Sequence, residues 1–95
     1  MSDNKIPVWD WVTNHCKDER TSLSAAIYAS MDHYPHIILP YRYKHPIPDS
    51  EYQWLIENVG YQNYVNTDLT KNGPVKSVYI FTHEGDMMNF MLLWG

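Results

Sequence analysis

The sequence predicts a small single-domain α+β fold in the order α-α-β-α-β-β-β, an antiparallel sheet with a C-terminal β-hairpin packed against helices. Three observations predict it. Apolar residues recur at helical spacing in the first thirty residues and again after residue 50. Residues 36–43 alternate as a strand does. The last twenty residues hold two apolar runs separated by Glu84-Gly85.

Taken in order, residues 1–6 read as a flexible leader, and residues 7–95 as the domain. Pro7 suits a first helical position because it lacks the N–H that a helix start cannot use. Val8, Trp11, Val12 and His15 then share one helix face, with Trp9 off the stripe. Lys17-Asp18-Glu19-Arg20 is a solvated break. Thr21 or Ser22 can cap a second helix through its hydroxyl. Leu23, Ala26, Ile27, Ser30 and Met31 form that helix's stripe, and the residues up to Pro35 end it.

In the strand from His36 to Tyr43, Ile37, Leu39, Tyr41 and Tyr43 face one way and His36, Ile38, Pro40 and Arg42 the other. Pro40 cannot donate to a ladder, so the strand belongs at a sheet edge or carries a bulge. Ser50 with Gln53 matches a capping box. Tyr52, Leu55, Ile56 and Val59 make a third helical stripe, with Gly60 just past its end. A short strand from Tyr61 to Asn66 follows, and Asn72-Gly73-Pro74 is a turn.

Val75–His83 and Asp86–Trp94 read as the hairpin. One face carries Val75, Ser77, Tyr79, Phe81, Met88, Phe90, Leu92 and Trp94 and is expected in the core. The other carries Lys76, Val78, Ile80, Thr82, Met87, Asn89, Met91 and Leu93 and is also more than half apolar, which an open antiparallel sheet does not favour.

Composition narrows the function. The 95 residues are 44% hydrophobic, 15% aromatic and 19% charged, with a net charge of −4. That supports one packed core and excludes the compositional signature of a disordered chain. The acidic balance argues against a basic nucleic-acid face. No apolar run approaches the ~18 residues of a membrane span. The single cysteine, Cys16, forms no internal disulfide, which points to the reducing cytoplasm of a bacterium or host cell.

The chemistry-bearing residues form no strong motif. His33-x-x-His36 beside Asp32, with His83 from elsewhere, has ligand-like spacing, but zinc requires three or four groups within ~2.0–2.3 Å of one ion. Surface and turn histidines account for it better, and no metal or other cofactor is expected. His15-Cys16 offers a thiol and a base, yet successive helical residues do not face each other. His83-Glu84-Gly85-Asp86 suits a solvated turn. Arg42, Lys44 and His45 among Tyr41 and Tyr43 form the one basic aromatic stretch, too few charges to neutralise a strand.

The more telling feature is a surplus of large apolar side chains: Trp9, Trp54, tyrosines 61 and 64, and the face of Val78, Ile80, Met87, Met91 and Leu93. Such residues are enriched at contact surfaces, and helices covering both faces of the sheet would account for them equally. In size and composition the chain is similar to the small accessory proteins with which phages and bacteria bind and inhibit a larger protein. That likeness of type implies a non-enzymatic protein-binding module, occluding a partner or pairing with itself. The competing expectations are a small histidine-based or metal-dependent hydrolase using His33, His36 and His83, and a nucleic-acid-binding accessory.

Overall fold

The computed structural model describes residues 6–40, 49–69 and 74–94. The basic stretch of Tyr41, Arg42, Tyr43, Lys44 and His45 lies outside the described residues, as do most of the leader and most of the Asn72-Gly73-Pro74 turn. The described elements are helix α1 (Val8–Glu19), helix α2 (Leu23–Ser30), strand β1 (His36–Pro40), helix α3 (Asp49–Asn58), strand β2 (Tyr64–Leu69), strand β3 (Lys76–Phe81) and helix α4 (Glu84–Trp94). A single 3-10 turn, Tyr61–Asn63, precedes β2 and delays it relative to the expected start.

The α+β class and the antiparallel sheet stand as expected. Strand order is β1-β3-β2, with β3 central and antiparallel to both neighbours. Pro40 ends an edge strand, where its missing N–H costs no ladder bond on the outer side.

The last element differs from the expected hairpin: residues 84–94 are helical. The reason lies in side-chain shape. Val75, Val78, Ile80 and Thr82 are β-branched, whereas no residue from Glu84 to Trp94 is. Met and Leu are unbranched at Cβ and rank among the good helix formers. Glu84 and Asp86 fall in the first turn, where negative charge meets the positive end of the helix dipole. The N–H of Met87 already bonds the carbonyl of His83 at 3.3 Å, the first helical step.

Helices cover both faces of the sheet. On one side α1 and α2 bring Val8, Val12, Ala26 and Ile27 against Val65, Val78 and Ile80. On the other, Leu55 of α3, Val59 just past its end and Phe90 of α4 pack against Tyr79 and Phe81. The molecule is therefore three layers deep, which explains why both faces of β3 are apolar.

Local chemistry sets the helix ends. Pro7 is the N-cap residue of α1 rather than its first helical residue, and offers no side-chain cap. The buried hydroxyl of Thr82 instead accepts a hydrogen bond from the N–H of Val8 at 2.8 Å, across 74 positions of sequence. Arg20 closes α1 in the left-handed conformation at φ 54°. Of the two candidate caps for α2, Ser22 serves: its Oγ accepts from the N–H of Ala25 at 3.2 Å.

Helix α3 is rotated from its expected stripe. Leu55 and Val59 face inward as expected, but Tyr52 and Ile56 are exposed, while Trp54 and Glu51 turn toward the sheet. The Tyr79 hydroxyl donates to Glu51 Oε1 at 3.1 Å, which lets a carboxylate lie buried there. The helix begins at Asp49, one residue before the Ser50 expected to precede it. Gly60 follows α3 at φ 92°, as its expected position beyond the helix end requires.

Candidate interaction surface

Among its described residues α4 has one that is fully buried. Phe90 is fully buried, with its ring centroid 4.7 Å from Tyr79, 5.5 Å from Phe81 and 6.3 Å from Trp54. Met87, one turn earlier, is half-buried against the same group. Asp86 is also partly enclosed. Burial raises its carboxyl above the usual aspartate range, against an opposing pull from His83.

The rest of the helix is apolar as well. Met88 is 55% exposed, Met91 45%, Leu92 84% and Leu93 58%. Met88 and Leu92 are four residues apart and so stack on one helix face. Between Met87 and Trp94 the only polar residue is Asn89. From Met87 onward the surface of α4 turned away from the sheet is thus uncharged and composed largely of Met and Leu, with the exposed Glu84 one turn before Met88.

The expected contact residues divide. Val78 and Ile80 are fully buried in the core beneath α1 and α2, so they are not surface residues. The expectation failed because it paired residues 86–94 with β3 as a strand; as a helix they leave Val78 and Ile80 to other partners. Trp9 and Trp54 are half-buried, each packed against one of the two core clusters. Met87 mostly supports Phe90. Met91 and Leu93 remain exposed, joined by Met88 and Leu92, which had been expected in the core. The side chain of Trp94 lies outside the described residues.

A helical reading of residues 84–94 would have found Met88 and Leu92. The absence of β-branching and the recurrence of Met87, Phe90, Met91 and Trp94 at helical spacing were the available signals.

Two of the described histidines meet at one indole. His15 stacks on Trp11 at 4.8 Å between centroids and 8° between planes, and His33 approaches the same indole at 5.1 Å. Nδ1 of His36 lies 3.4 Å from the carbonyl oxygen of Tyr34. Among the described residues, no three of His, Cys, Asp and Glu converge as metal ligands. Cys16 sits at the rim of the first core cluster, and its thiol donates to the carbonyl of Ser22 at 3.7 Å. Tyr64 is half-buried, and Tyr61 is exposed. Burial, then the nearby Tyr52 and Glu51, raise the Tyr64 hydroxyl above its ordinary pKa.

The chain matches no protein family, no curated protein and no solved structure. Among the described residues, no helix is long and apolar enough to cross a membrane.

Proposed function

We propose that this chain is a non-enzymatic protein-binding module that docks through the outer face of α4. One observation carries the reading: from Met87 onward α4 is apolar on nearly every side, yet among the described residues the core covers it on its Phe90 and Met87 side while Met88, Met91, Leu92 and Leu93 stand exposed. A helix that is hydrophobic all round belongs in a core. Here a second apolar surface, from another protein or from a second copy of the chain, would complete that core.

The chemistry of the face fits this role. Methionine adapts to irregular surfaces, and Met88 and Met91 flank the prominent Leu92. Fully burying a Leu or Met side chain is worth about 1.5–3 kcal/mol, and these side chains stand roughly half exposed or more. Four of them therefore offer several kcal/mol toward the entropy of association. From Met88 to Leu93 the face carries no charge, while Glu84 lies one turn before Met88, so any partner group that complements it would add a salt-dependent part to the contact.

In size and composition the small inhibitory accessory proteins of phages and bacteria remain the type this reading resembles, with a cytoplasmic partner. The face consists of Met91 and Leu93 with Met88 and Leu92, while Val78 and Ile80 belong to the core and Trp9 and Trp54 pack against it.

The experiment compares Leu92→Glu and Met91→Glu with Leu23→Glu, a control at an exposed apolar residue of α2. Native chain and variants are assayed by light scattering for self-association and by capture from source lysate. Circular dichroism checks folding. A charge on α4 must be desolvated in the contact but not in the free molecule. The two α4 substitutions should abolish association while the α2 control retains it. Association that survives both α4 charges would overturn the reading.

A further inference from the structure

We draw no further inference here: the strongest candidate, the ring cluster of His15 and His33 against Trp11 where α1 meets the turn after α2, joins no further ligating group among the described residues, and nothing in the structure shows what it would bind.

Discussion

Replacing Thr82 with valine should destabilise the protein out of proportion to the small change in shape. Thr82 is 2% exposed, and its Oγ1 accepts the N–H of Val8, itself fully buried, at 2.8 Å. Val8 opens α1, where backbone donors have no intrahelical partner, and Pro7 supplies no side-chain cap. Valine keeps the volume and branching but removes the acceptor. The orphaned N–H then carries its desolvation penalty, about 1–3 kcal/mol. Loss of a helix N-cap measured elsewhere falls in the same range, about 0.5–2 kcal/mol. In a domain of this size each kcal/mol moves Tm by roughly 4–8 °C, so the expected drop is readily measured.

The assay is thermal and urea unfolding of native protein, Thr82→Val and Thr82→Ser. Serine retains the hydroxyl and loses a methyl, a cost of about 0.8 kcal/mol if that group is fully buried. The expected ranking is native, then serine, then valine. A valine variant as stable as the native chain would refute the idea that Thr82 caps α1.

Other outcomes follow from single contacts. Phe90→Ala should cost about 3–5 kcal/mol by chemical denaturation, whereas Leu92→Ala, at an exposed site on the same helix, should change stability by less than about 0.5 kcal/mol. Arg20→Gly should raise Tm, because a non-glycine residue in the left-handed region costs about 1–2 kcal/mol, only partly offset by the greater unfolded-state entropy of glycine. Tyr34 donates to the carbonyl of Ile6 at 2.8 Å, and burial, then Asp10, hold its hydroxyl above the ordinary tyrosine pKa. The unfolded state therefore loses this proton first. The associated stability is complete below about pH 10 and declines as pH rises through the higher folded value. Urea midpoints measured between about pH 8 and 11 should fall more steeply for the native chain than for Tyr34→Phe.

The parts legible in the sequence are those governed by local pattern. Val8 and Val12, Ala26 and Ile27, and the alternation through β1 all fall where their periodicity puts them. Pro40 marked an edge strand, and Gly60 a helix end. The apolar character of both faces of β3 was also visible, and it reports a strand buried between two helical layers rather than a sticky surface.

The largely apolar run from Met87 to Trp94 satisfies strand and helix templates alike. Periodicity alone does not separate them, and the missing β-branched residues are the deciding feature. The rotation of α3 depended on a pairing that no local pattern encodes. Glu51 lies buried beside Tyr79, 28 positions later, whose hydroxyl donates to it. The Thr82 cap of α1 spans almost the whole domain and is likewise a tertiary fact. The candidate surface was legible in its chemistry, as an excess of Met and Leu, but its location required knowing which side of residues 84–94 the sheet would cover.

The outer face of α4 is best tested by oxidative footprinting of its methionines. Met88 and Met91 are exposed in the single chain, and their thioethers should oxidise to sulfoxide readily when the purified protein is dilute. In source lysate, or at high concentration if the partner is a second copy, both should become protected, as read by mass spectrometry of the peptide that contains them. Equal oxidation of Met88 and Met91 in the dilute, concentrated and lysate samples would contradict a docking role for α4.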